Sequence, residues 1–378
     1  MEIKEYLRHK QEIQKTLIDL LEDESSDDMQ QFCLGQKTDK RFQLIFLLRL
    51  ISKIANNHKR SINFITKIEQ ILLFFKNKIT QELTNFEIFN IFKKNKRVLL
   101  FLFEQNIVSI NDDIIRFMRR FHNNYYLEYF APEIEKYKEN QEKSNEERFD
   151  FDAKRKKGEN DNYICQLIQG DSVQDFISHV NRKLVKLSSH IPPSIFETNE
   201  FILKRRPTLI EYSAFFGSIQ IFRYLIINNV ELNPTIWLYA IHGQNAEIIH
   251  LIEENNIKSE SYFYDDFLIE SIKCHHLNYS EYIINNFDVQ YLQKNIKIQK
   301  IAIKSYNFSY FPNKMDDEDY FFYFLCKYDH IKLVDFLLKT KEIKFLPVMK
   351  VLNSFINYIS ITIHFLIEFQ LKKILWKS

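Results

Sequence analysis

PTLIEYSAFFGSIQIFRYLIINN (residues 207–229) and PTIWLYAIHGQNAEIIHLIEENN (residues 234–256) are two copies of one pattern. Pro207-Thr208 recurs as Pro234-Thr235, an offset of 27 (234 − 207). Ile221-Phe222 recurs as Ile248-Ile249, Leu225-Ile226 as Ile252-Glu253, and Asn228-Asn229 as Asn255-Asn256, all in the same register. A helix-start signal, an apolar pair and a polar turn repeating at fixed spacing mark a solenoid, whose units bury their apolar faces only against their neighbours. This reading decides architecture before function, because solenoids serve mostly as binding surfaces.

Composition agrees with helices. The 378 residues hold only 5 Gly and 7 Pro but 35 Phe and 20 Tyr. Few chain breakers and many long apolar side chains disfavour a turn-rich β fold. AT-rich coding would enrich Ile, Asn, Lys, Phe and Tyr together, so aromatic abundance alone is no functional clue. The net charge of +2 gives no global reason to expect nucleic acid or membrane attraction. Cys33, Cys165, Cys274 and Cys326 are far apart and form no C-x-x-C pair, which suits a reduced, cytoplasmic chain. The opening MEIKEYLRHK is charged and lacks the apolar core of a signal peptide, so secretion by the standard route is not expected.

Residues 1–135 read as a helical N-terminal module. Ile3, Leu7, Ile13, Leu17, Ile18 and Leu21 share one face at helical spacing. A second helix is expected from Arg41 to Ile54, and Ser61 is a candidate cap for a third carrying Phe64, Ile65, Ile68, Ile71 and Leu72. Shorter helices follow at Phe86–Phe92 and Val98–Phe103, and Asn111-Asp112-Asp113 opens another; the acidic run Glu22–Asp28 reads as a solvated loop. Residues 136–160 are so rich in charge that they read as a charged linker or exposed helix. Repeats are expected over 161–345. The tail, 346–378, is apolar and uncharged from Val351 to Ile367, close to the length of a membrane span, but Asn353, Ser354, Asn357, Ser360, Thr362 and His364 disfavour contact with lipid.

The segment Thr208–Ser218 resembles the first half of an ankyrin repeat. Small residues at Ser213 and Ala214 would let paired helices approach, and Gly217 would supply the turn. Gly243 falls one residue out of register, since 243 − 217 is 26. Later units surround Ser271–His276 and Ala302–Asn307, offset by 31 (302 − 271), and Cys326–His330; an earlier one surrounds Gly170. Residues around Phe308–Asp319 make a poor second helix. Most of the chain up to residue 345 resembles a large, protist-expanded family of ankyrin-type proteins classed as a domain of unknown function. The segments SIFETNEFILKRRPTLIEYSAFFGSIQIFRYLI, WLYAIHGQNAEIIHLIEENN, ESIKCHHLNYSEYI, FLCKYDHIKLVDFLL and NFEIFNIFKKNKRVLLFLFEQ carry the likeness. It implies an all-α fold and no catalytic residues.

Candidate chemistry is sparse. Cys274-His275-His276, with His242 and Cys326, offers metal-type donors, but adjacent helical positions diverge by about 100° and cannot converge on one ion. No metal and no cofactor is expected. No nucleophile motif, phosphate-binding glycine loop or zinc-protease helix is present. Lys154-Arg155-Lys156-Lys157 reads as a solvated charge run, with nuclear import as its alternative. The expected function is non-enzymatic protein binding through a concave ankyrin-like surface, as an adaptor or scaffold. The alternatives are a substrate-recognition subunit of a modifying complex and, third, a binding protein tethered through the tail. Aligning the repeats places Phe215, His242, Lys273, Lys304 and Lys327 at equivalent positions, with Tyr212, Tyr239 and Tyr328 beside them. That stripe is the expected face for a protein partner, aromatic at one end and selective for acidic groups at the other.

Overall fold

A computed structural model describes residues 3–23, 29–58, 63–120, 125–139, 145–257, 263–286, 296–311 and 318–340. The described chain is all-helical. The N-terminal part comprises α1 (Ile3–Glu22), α2 (Met29–Gly35), α3 (Arg41–Asn57), α4 (Phe64–Phe74), α5 (Lys76–Glu82), α6 (Asn85–Phe92), α7 (Lys96–Glu104), α8 (Asp112–Arg120), α9 (Tyr125–Tyr129), α10 (Ala131–Glu139) and α11 (Asn145–Lys157). Helix pairs follow: α12 (Tyr163–Gln169) with α13 (Val173–Lys183), then a lone α14 (Glu200–Arg205), then α15 (Leu209–Phe216) with α16 (Ile219–Ile227), α17 (Ile236–Gly243) with α18 (Ala246–Glu254), and α19 (Phe263–Cys274) with α20 (Leu277–Asn286). Then come α21 (Ile296–Ser305), a 3-10 turn at Phe308–Tyr310, α22 (Glu318–Lys327) and α23 (Ile331–Thr340). The first helices of successive pairs stack in the order α12, α15, α17, α19, α21, α22. The second helices α13, α16 and α18 stack beside them.

Each pair turns on one residue in the left-handed region: Asp171, Gly217, Gln244, His275, Tyr306 and Asp329. These turns fix the register. Gln244 lies 27 after Gly217, so the polar turn keeps the offset that Gly243 breaks. Gly243 answers to packing instead. A Cβ there would stand 2.0 Å from the Ala214 carbonyl oxygen, so the missing side chain is what lets α17 close on α15. The intervals after Gln244 are 31 (275 − 244) and 31 (306 − 275), then 23 (329 − 306), where the second helix shrinks to the 3-10 turn. Asn229 and Asn256, also left-handed, end α16 and α18 and explain the repeated Asn-Asn.

At four of the six turns the residue that follows donates to a carbonyl of the preceding pair. Ser218 Oγ donates to the Ile168 carbonyl, Asn245 Nδ2 to Gly217 (2.9 Å), Asn307 Nδ2 to Ile272 (2.8 Å) and His330 Nε2 to Ile303 (2.7 Å). Each bond adds a donor at a carbonyl near the end of a first helix; those of Ile168, Ile272 and Ile303 also accept from the backbone N–H of Asp171, His275 and Tyr306. Three residue types share this task, which hides the pattern from a search for identity. The two Pro-Thr starts also differ. Thr208 is an N-cap with a reciprocal box to Glu211, whereas Thr235 is helical, makes no cap, and donates its hydroxyl to Glu211 at 2.8 Å.

The N-terminal helices lie against the turns of the later pairs. Gln14 Nε2 donates to His275 Nδ1 (3.0 Å) and Asn307 Oδ1 (3.2 Å), while its Oε1 accepts from Phe308 N (2.7 Å). His58, 3 % exposed, faces the Cys274 carbonyl and the Glu22 carboxylate, each at 2.8 Å. Arg49 pairs with Asp329, and Phe46 packs on Tyr306 and Phe308. One apolar core therefore runs from α1 through the stack.

Within 136–160, expected as a charged linker or exposed helix, the described residues include the end of α10 and all of α11, which packs on α7, with Arg97 Nε donating to the Lys156 carbonyl at 2.6 Å. One expectation needs correction, since the basic run is not uniformly solvated: Arg155 is 2 % exposed, bonded to Glu133, Asp152 and the Tyr129 carbonyl. The sequence also gave no sign of α2. The Ser61 cap, most of the acidic run after Asp23, and the tail 346–378 lie outside the described residues. No described helix is long and apolar enough to cross a membrane.

Candidate functional site

Phe215, His242, Lys273, Lys304 and Lys327 each lie two residues before a left-handed turn residue, so they occupy one structural position in five successive pairs. Their exposure varies along the stack and is greatest at its late end. Phe215 is half-buried, His242 buried, Lys273 half-buried, and Lys304 and Lys327 exposed. Beside them, Tyr212 and Tyr239 are buried and Tyr328 is half-buried. Tyr212 accepts from Gln169 Nε2 at 2.9 Å, and the Tyr328 ring stacks on Phe324. Tyr212, Tyr239 and His242 thus belong to the core rather than to an open face.

What covers the aromatic end is the chain itself. Residues 185–206 lengthen the interval between the first two turns to 46 (217 − 171) and fold back over the stripe. The insertion is pinned at several points. Ile191 N donates to the Pro207 carbonyl (2.9 Å), Lys96 Nζ to Ile195 (2.6 Å) and Thr198 Oγ1 to Gly158 (2.7 Å). Asn199 caps α14 by accepting from Phe201 N and Ile202 N. This capping delivers Phe201, whose ring centroid lies 4.3 Å from His242, 5.0 Å from Tyr239 and 6.0 Å from Phe215. Burying one such ring contributes about 1.5–3 kcal/mol. The sequence signal for Phe201 was the Asn199 cap before a short apolar run, two turns ahead of Pro207.

Beneath Phe201 lies a polar cluster. His242 Nε2 donates to Glu270 Oε1 at 2.9 Å, and Lys273 Nζ to the same oxygen at 2.7 Å. Burial would raise the Glu270 carboxyl, but His242 and Lys273 overcome it and hold it at about 2. Burial lowers His242 despite Glu270, and burial raises the Cys274 thiol well above its usual range. The donor atoms of His242, Glu270 and Cys274 lie within 4.8 Å of one another. Their arrangement nonetheless suits an internal ion pair better than a cation. Cys274 Sγ stands 3.5 Å from both ring nitrogens, off the line of either lone pair, and an ammonium already holds the carboxylate. His275 and His276 point elsewhere: His275 Nε2 donates to the Ser305 carbonyl at 3.0 Å, and His276 meets Gln244 and the His58 ring. Burial first, then His58, pushes His275 down to about 3.

Past Phe201 the stripe becomes basic. Lys94, from the turn before α7, and Lys204 of α14 pair with Glu200, and Lys53 of α3, Lys273 of α19 and Lys304 of α21 lie within its electrostatic reach. Glu200 is shared by Lys94 (3.0 Å) and Lys204. Burial opposes its ionisation, but these two ammonium groups hold it at about 2. Lys53 and Lys304 have no acceptor among the described residues. Burial, then Arg49, Lys94 and Lys304, push Lys53 down to about 7, with Glu200 opposing. Burial, then Lys94, Lys273 and Lys204, lower Lys304 as well, again against Glu200. Lys273 and Lys304 belonged to the expected face. Lys53, Lys94, Lys204 and Glu200 were missed, since nothing in their local sequence brings them together.

No family model, no curated protein and no solved structure matches this chain.

Proposed function

We propose that this protein is a non-enzymatic adaptor or scaffold built on a divergent ankyrin-like stack, which binds a protein partner with its later repeats. The observation that carries this reading is the repeated turn: one left-handed residue per pair, a linking side chain after four of the six, and an equivalent position two residues earlier that emerges at the late end as Lys304 and Lys327. Regular stacks present extended surfaces whose side chains can be exchanged without disturbing the core. An acidic partner fits the two exposed lysines. The aromatic end is occupied by Phe201, so the partner surface is shorter than the full stripe.

Charge reversal of Lys304 and Lys327 together tests the reading. Association with a captured partner should slow and lose much of its salt dependence, with the thermal midpoint nearly unchanged. Lys273 is unsuitable for this test, because it holds a buried carboxylate. Partner binding unchanged by the double reversal would overturn the proposed face.

A further inference from the structure

We propose that α1 is an acid-released clasp on the late repeats, held closed by a histidine that must stay uncharged. The lock is Gln14, 5 % exposed, and a backbone donor fixes its orientation. The Phe308 N–H can only donate, so the atom that receives it at 2.7 Å is Gln14 Oε1. Gln14 Nε2 is thereby turned towards His275 Nδ1 (3.0 Å) and Asn307 Oδ1 (3.2 Å). Asn307 is held in turn, its Nδ2 donating to the Ile272 carbonyl and its Oδ1 accepting from Ser309 N. An amide nitrogen only donates, so His275 Nδ1 must accept and carries no proton. Across the ring, Nε2 faces the Ser305 carbonyl at 3.0 Å and must donate. One neutral tautomer satisfies all of these bonds. A proton on Nδ1 would meet the Gln14 amide hydrogen, and the amide cannot turn over without losing Phe308 and Asn307.

The surroundings of His275 make a charge there costly. Burial comes first, then the His58 imidazole and Lys53 of α3, against the Ser305 carbonyl of α21, and the ring is pushed down to about 3. Its other titratable neighbours are Cys274 and His276 beside it in the chain, and Glu22 of α1, which meets His58 at 2.8 Å. Neither ring nitrogen meets a carboxylate. The value is lowered in the fold from about 6.5, so release of α1 frees the ring to bind the proton. The clasp is at full strength above about 6.5 and weakens as pH falls from there towards about 3. At pH 5 the released form should gain roughly 25-fold over pH 7. Release can be local. α1 packs on the 3-10 turn, α4 and α2 through Leu17, Leu20 and Leu21, whereas α15 and α17 pack on each other and on α12 and α19. Elements with few partners open before the whole fold does.

The clasp stands apart from the protein-partner reading and needs no partner to be tested. Hydrogen exchange of the full-length chain is followed at pH 7 and pH 5, corrected for the intrinsic rate at each pH. Protection of residues 10–21 and 306–311 should fall roughly 25-fold at pH 5, while α15 and α17 keep theirs. His275→Gln should remove the response. Glutamine offers one acceptor and one donor, as the neutral ring does, and takes up no charge. Gln244 already holds the same left-handed turn position in the preceding pair. Gln14→Glu should invert the response, since a carboxylate in place of the amide pairs with a protonated His275, and protection should then be higher at pH 5 than at pH 7. Equal pH responses in wild type and His275→Gln overturn the proposal. So does unchanged protection of α1 between the two pH values, or protection lost from α15 and α17 together with α1, which is acid unfolding of the whole chain. A Gln14→Glu chain that loses protection at pH 5 as wild type does overturns it independently, even where His275→Gln fails to fold.

Discussion

Lys154–Lys157 and the lysines around Glu200 are two basic regions of the molecule, and they are built in opposite ways. The first is four adjacent cations, each one neutralised. Lys154 meets Asp150 (2.8 Å), Arg155 meets Glu133 (2.7 Å) and Asp152, Lys156 meets Glu104 (3.4 Å), and Lys157 meets Glu159 (3.4 Å). The second is five lysines scattered from residue 53 to residue 304, with two left unpaired among the described residues. Charge density along a chain says little about field strength in space. The field depends on which carboxylates fold up alongside, and in the first region the helix itself supplies some of them at i−3 and i−4. A carrier reading four adjacent basic side chains would have to unwind α11 to reach Arg155.

The largest effect is expected from breaking the neutralised region at its one buried member. Arg155→Ala leaves Glu133 and Asp152 without their cation and removes the ring contact with Phe151, 5.2 Å from the guanidinium. The cost should be about 3 kcal/mol in urea unfolding. A loss below about 1 kcal/mol would mean that α11 is not anchored as described.

In the second region, removing the shared carboxylate should do less. Glu200→Gln frees Lys94 and Lys204 and should cost about 1–2 kcal/mol at pH 7, after discounting for solvent around both lysines. The Glu200 carboxyl is held below its unfolded value of about 4.5. Its contribution is therefore present above pH 4.5 and is lost as pH falls towards about 2. Wild type and variant should converge in stability at the acid end of that window.

Lys53→Met should go the other way in stability. Lys53 is lowered in the fold to about 7 from about 10.5, so between these values the unfolded chain binds the extra proton and stability rises with pH. Below pH 7 the destabilising charge is fully present. Removing it should raise stability at pH 7 by about 1 kcal/mol and flatten the pH dependence between 7 and 10. Thermal midpoints across that range check both statements, and a destabilised variant with an unchanged slope would refute them.

Sequence was most informative where neighbours in the chain are neighbours in space. The offset of 27, the Gly217 turn, the Thr208 cap and the apolar pairs Ile221-Phe222 and Ile248-Ile249 all concern one helix pair or its copy. Gly243 misled because a glycine can serve packing as well as turning, and only the Ala214 carbonyl shows which. The stripe was legible in register but not in exposure. Nothing near Tyr239 or His242 reveals that Phe201, some 40 residues earlier, lies over them. The lysines around Glu200 were less legible still, since the N-terminal helices carrying Lys53 and Lys94 reach the late repeats only through packing on their turns, which has no local signature.

The smallest effect is expected at Lys154, the most conspicuous charge of the basic run. Its side chain is 37 % exposed, and it reaches Asp150 at 2.8 Å and Asp161 at 3.7 Å. Neither acid depends on it. Asp150 is itself 70 % exposed and hydrated, and Asp161 accepts from Ser194 Oγ at 2.8 Å. Exposed pairs of this kind also lose side-chain entropy on forming, which offsets most of their attraction. Lys154→Ala should thus change stability by less than about 0.5 kcal/mol, at low salt and at 0.5 M salt alike. The sharper reading comes from setting it beside Arg155→Ala in the same denaturant series. Adjacent residues of the same charge, one buried and one exposed, should differ several-fold in cost. Equal costs would show that proximity in sequence, not the pairing found in space, governs this region, and the contrast with the lysines around Glu200 would fail with it.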